Sequence, residues 1–206
     1  MSITLILVII TSGISYYAFS NYSLMDKMIL NPYKVTKRNE YYRFITSGFV
    51  HADFGHLIFN MLSLWFVGEG IERLFGMLFG ASGTFYYLFL YIVGIIVSDI
   101  PTYLKHRNNS NYNSLGASGG VSAVLFAALL LSPLMQICLY FFICMPGFIF
   151  GILFLGYSFY EGRKGRGYVN HSAHMYGAIF GLLFMAVVYP EAVPNFFSQI
   201  LSWRLF

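Results

Sequence analysis

Charged side chains are scarce in this chain of 206 residues, where they make up only 10% of the sequence, whereas a soluble globular domain carries roughly 25%. Hydrophobic residues make up 58% and aromatic residues 20%. Four long stretches contain no charged residue at all, namely 1–25, 74–98, 108–160 and 168–190. A transmembrane helix needs about 20 apolar residues. This composition therefore excludes a soluble fold and predicts an integral membrane protein.

Cysteine is nearly absent, with only Cys138 and Cys144 in the whole chain. A spacing of six places them on different faces of a predicted helix, so we expect neither a disulfide nor a metal pair. The five histidines do not show the i, i+4 spacing with a carboxylate that zinc recruits on a helix, and we expect no metal and no cofactor. Basic residues are scattered through loops without a stripe or a recognition motif, which excludes nucleic-acid binding.

The apolar stretches predict an all-α fold, a polytopic bundle of six transmembrane helices. The longest stretch must hold two helices, and we divide it at Ser132-Pro133 because proline ends or kinks a helix. The six predicted spans are 2–20, 55–72, 77–98, 116–132, 134–157 and 171–190. The chain is thus predicted to be a single membrane domain, residues 1–206. Its long loop 21–54 mixes aromatic and basic residues, as expected for a segment at the membrane interface.

Three polar side chains open the even-numbered spans: His56 in span two, Ser118 in span four and His174 in span six. Successive spans alternate in direction, so all three lie toward the same membrane face. Asn60 follows His56 by four residues and therefore shares its helix face. Polar groups at this depth are costly and point to function. The sequence therefore predicts one cluster of these four side chains.

Small residues provide the packing that such a cluster needs. Gly177 and Gly181 form a GxxxG pattern on the same stripe of span six as His174, and this pattern permits close approach of membrane helices. Span four offers Gly119, Gly120 and Ala123 as the small surface opposite. Close packing of these two spans is what a Ser–His hydrogen bond of about 2.6–3.2 Å requires.

A hydroxyl beside an imidazole predicts hydrolysis within the membrane. His174 would take the Ser118 proton as the hydroxyl attacks a peptide carbonyl. His56, Asn60 and the backbone N–H of Ser118 are the candidate donors to the oxyanion. No carboxylate is well placed as a third member: Asp99 and Glu161 are predicted in loops, and Glu69 and Glu72 at the opposite end of span two. We expect a dyad.

A second Gly-Ala-Ser-Gly tetrapeptide, residues 80–83, opens predicted span three. That span runs the other way, so Ser82 is expected at the face opposite His174, where small residues serve helix packing. His51 precedes span two and is expected to satisfy backbone groups of the neighbouring loop.

Taken together, these residues resemble the rhomboid intramembrane serine proteases over nearly the whole chain, as a six-helix core. The motifs are Tyr42-Arg43, His51-x4-His56-x3-Asn60, Gly116-x-Ser118-Gly119 and Ala173-His174-x2-Gly177-x3-Gly181. The resemblance implies Ser118 as nucleophile, His174 as base, and His56 and Asn60 in the oxyanion hole. It also implies structural roles for Arg43 and Glu72, and helix packing by Gly177 and Gly181.

The resemblance further implies a cofactor-free enzyme of the lipid bilayer that cleaves single-span membrane proteins. Their entry is expected sideways, past the fifth helix and the loop after it, residues 134–170. One position departs, because Ser122 stands where many members carry an aromatic residue stacked on the imidazole.

Two criteria disagree about the orientation of the protein in the membrane. The family's usual arrangement, in a bacterial plasma membrane, turns the catalytic face outward and leaves only Arg73 and Arg204 of the 12 Lys and Arg inside. The positive-inside tendency favours the opposite orientation. We expect the family's arrangement.

Two other functions remain open at the level of sequence. One is a rhomboid-like protein that binds membrane proteins without cutting them, although such members typically lack the serine or the histidine. The other is a transporter or channel built on the same polar cluster, although neither two related halves nor several broken helices are evident.

Overall fold

The computed structural model describes residues 1–139, 142–164 and 169–204. The helices among them are α1 Ile3–Ser20, α2 Tyr22–Met28, α3 Pro32–Arg38, α4 Arg43–Thr46, α5 Phe54–Phe79, α6 Gly83–His106, α7 Ser118–Leu131, α8 Gly147–Lys164, α9 His171–Val188 and α10 Ala192–Ser202. Short 3₁₀ turns, Ser47–Phe49 and Gly80–Ser82, lie before α5 and α6. The described strands, β1 Gln136–Leu139 and β2 Ile143–Pro146, form an antiparallel hairpin.

Three helical stretches are long and apolar enough to cross a membrane: Ile3–Ser20, Phe54–His106 and His171–Val188. The second stretch contains both α5 and α6, which fold back on each other at Gly80, a residue with a φ of 55°. Helix α7 is apolar but shorter. The protein is therefore a multi-pass integral membrane protein, as its composition predicts.

Two predicted spans, the second and the third, have wrong boundaries. Span two was expected to end at residue 72, but α5 continues to Phe79 because the residues after Arg73 are apolar and Gly80 provides the first turn. Span three was expected over 77–98, whereas α6 runs from Gly83 to His106. Asp99 therefore lies inside a helix rather than in a loop, and it is buried there.

The predicted fifth span, 134–157, is also wrong over its described first part, while residues 140–141 lie outside the described residues. Residues 136–139 and 143–146 form the β1–β2 hairpin, and α8 begins only at Gly147. Pro146 explains the boundary, because proline lacks the N–H of a helix interior and drives the residue before it toward extended geometry. The described part of the chain is therefore mostly helical, as predicted, with a small hairpin in place of the first part of span five.

The cysteine prediction fails for the same reason. Cys138 and Cys144 are direct partners in the hairpin register and form a disulfide. Their Cα atoms are 3.9 Å apart. A spacing of six separates two side chains on a helix, but in this hairpin it brings them opposite each other.

Helix α7 lies at the centre of the molecule, with 11 of its 14 residues buried. It packs against α5, α6 and α9. Small residues allow this contact on several sides: a Cβ atom added at Gly120 would lie 2.8 Å from the carbonyl oxygen of Tyr91 on α6. The first residue of this central helix is Ser118.

A carboxylate of α5 ties down the start of α1. Glu72 accepts hydrogen bonds from the backbone N–H groups of Ile3 and Thr4, both at 2.8 Å. The first N–H groups of a helix lack partners within it, and a negative charge is favourable there. Glu72 thus has a structural contact at the end of α5 far from His56.

The long loop 21–54 has a structure of its own, with α2, α3, α4 and a 3₁₀ turn. Arg43 holds it together from a position that is only 3% exposed. Its Nη1 donates to the carbonyl oxygens of Asp26 at 2.6 Å and Ile29 at 2.7 Å, and its Nε pairs with Glu40 at 2.5 Å. One buried guanidinium therefore joins three parts of the loop.

This loop in turn holds the segment that leads to Ser118. Leu30 and Ser114 exchange two backbone hydrogen bonds, each of 2.9 Å. The Asn31 side chain donates to the Ser110 carbonyl and to the Asn113 side chain, both at 3.0 Å. The polar residues before α7 are thus held by the first loop.

Replacing Arg43 with glutamine is expected to lower thermal stability in detergent, because each lost charge-assisted hydrogen bond contributes about 1.5–3 kcal/mol. Arg38→Gln is the matched control, since Arg38 is exposed at the end of α3 and should unfold at the wild-type temperature. Equal unfolding temperatures for both variants would contradict the structural role of Arg43.

Candidate active site

Two pairs of backbone contacts join α7 and α9. A Cβ atom added at Gly177 would overlap the carbonyl oxygen of Gly119, and one added at Gly181 would overlap that of Ala123. Both pairs have the same sequence offset, so the helices run parallel and begin at the same end of the bundle. Ser118 lies next to the first contact, and His174 lies one turn before it. Spans four and six thus pack through the residues that the sequence indicated.

The turn before Ser118 requires glycine. Gly116 has a φ of 114°, a conformation that side chains rarely adopt. A Cβ atom there would lie 2.6 Å from Cε1 of the His56 ring. The imidazole of His56 therefore lies directly against the backbone two residues before Ser118, so the starts of α5 and α7 meet as predicted.

His51 supports the same turn from the buried side, where it is 0% exposed. Its Nε2 accepts a hydrogen bond from the Ala117 N–H at 3.3 Å, and its Nδ1 lies 2.9 Å from the hydroxyl oxygen of Ser15. That hydroxyl already donates to the Phe49 carbonyl oxygen, so Nδ1 is the donor to Ser15. These contacts fix the neutral ring in one tautomer. Burial lowers the pKa of His51 from 6.5 to about 3.

Asn60 lies one turn after His56 and is only 3% exposed. Its amide nitrogen donates to the His56 carbonyl oxygen at 2.9 Å. An amide nitrogen carries two hydrogens, so one of them remains beyond this bond. The backbone N–H of Ser118 is a further donor, because the first N–H groups of a helix have no partner within it.

The His174 ring is half-buried between two aromatic neighbours. Phe154 of α8 stacks on it with a centroid distance of 5.9 Å and an interplanar angle of 24°, and His171 meets it edge-on at 5.6 Å. Within the described residues, no hydrogen bond joins this ring to the Ser118 hydroxyl. Catalytic hydrogen bonds often tighten only when substrate is bound.

One group of site residues was missed by the sequence analysis. Asn170 precedes α9, where its Oδ1 caps the helix by accepting from the Ala173 N–H at 3.1 Å. Its amide nitrogen donates to the hydroxyls of Thr102 and Ser114, both at 3.0 Å, and reaches Asp99 at 3.5 Å. An asparagine just before an apolar run is a recognisable helix cap, but its partners from other elements are visible only in the fold.

A cavity of about 170 Å³ lies beside this cluster at the start of α9. Since liquid water occupies about 30 Å³ per molecule, it has room for several waters. Its lining includes Thr102, Lys105, His106, Glu161, Asn170 and His171.

The remaining polar candidates make no hydrogen bond to Ser118 or His174 among the described residues. Ser82 is exposed in the turn between α5 and α6, at the far end of α5, whose 26 residues at 1.5 Å each span about 39 Å. Glu161 was expected in a loop but lies in α8, paired with Lys164 at 2.8 Å. Asp99 contacts Asn170 rather than His174 among the described residues.

Comparison with known proteins gives a consistent result. The profile of the Rhomboid domain matches residues 38–191. The RHOMBOID-like protein 12, mitochondrial, of Arabidopsis thaliana is 31% identical over 157 residues, which cover 69% of this chain and 45% of that protein. The Rhomboid protease GluP of Bacillus subtilis is 28% identical over 165 residues, covering 80% of this chain and 29% of that protein. The Rhomboid protease AarA of Providencia stuartii is 27% identical over 149 residues, covering 63% and 50%. The chain thus aligns with half or less of the length of each of these relatives.

Gly177→Ala is expected to destabilise the protein, because the new methyl group would overlap the Gly119 carbonyl oxygen and overpacking costs about 1–3 kcal/mol. Gly156→Ala in α8 is the matched control. A Cβ atom there meets nothing within 4 Å, so this variant should match or slightly exceed the wild-type unfolding temperature. A Gly177→Ala protein as stable as Gly156→Ala would contradict the close contact of α7 and α9.

Stability should fall in acid partly through His51. The unfolded chain binds a proton near the ordinary pKa of 6.5, whereas the folded protein does not until about 3. The contribution of this histidine is therefore complete above pH 6.5 and is lost as the pH falls toward 3. In His51→Gln, which does not titrate, unfolding temperatures measured across this range should depend less steeply on pH. An unchanged slope would show that His51 is not the group responsible.

Proposed function

The chain belongs to the rhomboid family, and from this membership we propose that it is an intramembrane serine endopeptidase. It cleaves transmembrane segments of membrane proteins through a dyad of Ser118 and His174. The observation that carries the proposal is the parallel contact of α7 and α9 at Gly119–Gly177 and Ala123–Gly181, because it brings the start of one helix beside the start of the other. Relatives named as rhomboid proteases support the same reaction class.

In the first half-reaction, the His174 imidazole removes the proton of the Ser118 hydroxyl while the oxygen attacks a peptide carbonyl carbon. The tetrahedral intermediate carries an oxyanion, which needs donors already in place. The backbone N–H of Ser118, the ring of His56 against Gly116 and the second amide hydrogen of Asn60 fill this role. His174 then returns the proton to the leaving amine, and an acyl-enzyme on Ser118 remains.

The second half-reaction requires water at an enzyme surrounded by lipid. The cavity of about 170 Å³ at the start of α9 supplies room for it, since His171 lines the cavity and contacts the His174 ring. His174 activates this water, which attacks the acyl carbon and releases Ser118. No carboxylate is assigned to the mechanism: Asp99 acts through Asn170 on the start of α9, so its role is to support the helix.

The supporting residues divide into two groups. Gly116, Gly119, Gly177 and Gly181 allow the close contacts at Ser118 and between α7 and α9. Arg43 and His51 hold the first loop and the turn before Ser118, while Glu72 fixes the start of α1.

The substrates are single-span membrane proteins, and the enzyme encounters them within the lipid bilayer. We expect them to pass α8 and the following loop, of which residues 165–168 lie outside the described residues. The bacterial plasma membrane is the proposed location. Relatives named as proteases come from bacteria, whereas another is a mitochondrial protein of a plant.

A second candidate function is binding of membrane proteins without cleavage. It is favoured by the missing hydrogen bond between Ser118 and His174 among the described residues and by the serine at position 122. A wild-type protein that retains a bound single-span partner but never cleaves it would support this alternative.

The decisive measurement is cleavage of a single-span reporter by purified protein in proteoliposomes. Ser118→Ala and His174→Ala should each abolish cleavage, and the double variant should be no worse than either one, because the two groups act as a unit. Ser82→Ala is the matched control, since it changes the same tetrapeptide at the other end of the bundle and should cleave at the wild-type rate. Residual cleavage in Ser118→Ala would remove Ser118 as the nucleophile.

A further inference from the structure

The ring of Phe154 is the one flat surface that lies against the His174 imidazole among the described residues. The two rings are 5.9 Å apart and inclined by 24°, close to parallel. Phe154 comes from α8 and is itself packed between Phe126 of α7, at 5.5 Å, and Phe150, at 5.7 Å. These two neighbours therefore hold the Phe154 ring in a defined position.

The opposing stripe of α7 leaves space for this ring. Ser118, Ser122 and Phe126 follow one another at i, i+4 and i+8 and so share one face of the helix. Ser122 is 4% exposed and carries only a short side chain. The aromatic residue that the family resemblance leads one to expect at this position is absent, while an aromatic ring from another helix contacts the imidazole.

Two glycines allow α8 to pack closely against α7, which brings the Phe154 ring to the His174 imidazole. A Cβ atom added at Gly147 would overlap the Leu129 side chain, and one at Gly151 would lie 3.3 Å from it and 3.5 Å from Phe126. Gly151 stands one turn before Phe154, so a close contact between α8 and α7 lies beside the stacked ring. The orientation of the His174 imidazole therefore depends on how α8 packs against α7.

We propose that Phe154 is the positioning residue of the catalytic histidine, holding the His174 ring at the angle from which it can accept the Ser118 proton. The inference rests on the proposed function and deepens it. The terminal torsion of a histidine is broad and has no narrow minimum of its own, so the ring needs an external surface to fix its plane. Phe154 supplies that surface, and His171 packs edge-on against the same imidazole ring.

The test compares three variants of purified protein in lipid: Phe154→Leu, Phe154→Tyr and Phe159→Leu. Two rates are measured, reporter cleavage and labelling of Ser118 by a fluorophosphonate, which needs an activated serine but no peptide substrate. Phe154→Leu should lower kcat and the labelling rate by up to about 10²-fold, the effect of a misplaced catalytic group, with KM unchanged. Phe154→Tyr keeps the ring and should retain both rates.

Phe159→Leu removes a ring from the same helix at a half-exposed position, where Phe159 stacks with Arg163, and should leave both rates unchanged. Unfolding temperatures identify any variant that simply fails to fold.

The outcomes separate the inference from the function on which it rests. If the wild type is neither labelled nor active, the proposed function fails and the positioning role fails with it. If the wild type reacts and Phe154→Leu reacts equally fast, only the positioning role is wrong. If Phe154→Tyr loses as much rate as Phe154→Leu, the ring does not act on the imidazole, and packing alone explains the contact.

Discussion

The contact between the backbones of α7 and α9 is the constraint on which the rest of the site depends. Helices in lipid gain little from hydrophobic burial against each other, so close packing of small residues supplies the association. Gly177 meets the Gly119 carbonyl and Gly181 meets that of Ala123. Larger side chains at either glycine would hold the helices apart. The starts of these two helices, where Ser118 and His174 lie, would then stand farther apart.

The first loop, formed by the 33 residues between α1 and α5, is the second support of the site. Leu30 and Asn31 hold the segment before α7, and Ser47 accepts from the Gly116 N–H at 2.9 Å. His51 binds the next residue, Ala117. Every hydrogen bond of this series lies within eight residues of Ser118. The loop thus fixes irregular backbone that leads into the membrane, where unpaired polar groups are costly, and Arg43 fixes the loop itself.

Parity was sufficient to predict which helices begin at the same end of the bundle. His56, Ser118 and His174 open helices that start at the same end, and Ser82 lies at the other end, as expected. The predictions failed where local periodicity does not decide the structure. The segment before α8 is as apolar as a membrane helix, yet Pro146 interrupts the predicted span, and the hairpin that forms before it pairs Cys138 with Cys144. Asp99 was predicted in a loop because the charge-free stretch ends at residue 98, but it is buried inside α6 and contacts Asn170.

The sequence by itself determined the solvent, the helical class and which helices begin at the same end of the bundle, because composition, the direction of successive spans and the glycine spacing are read directly from the chain. The rhomboid motifs follow from the same residues. Tertiary structure decided what surrounds them. Phe154 reaches His174 from another helix, His51 reaches the Ala117 N–H across 66 residues, and Asn170 joins three separate elements. Such contacts depend on the relative placement of helices, and that placement follows from packing geometry that no periodicity in the chain records.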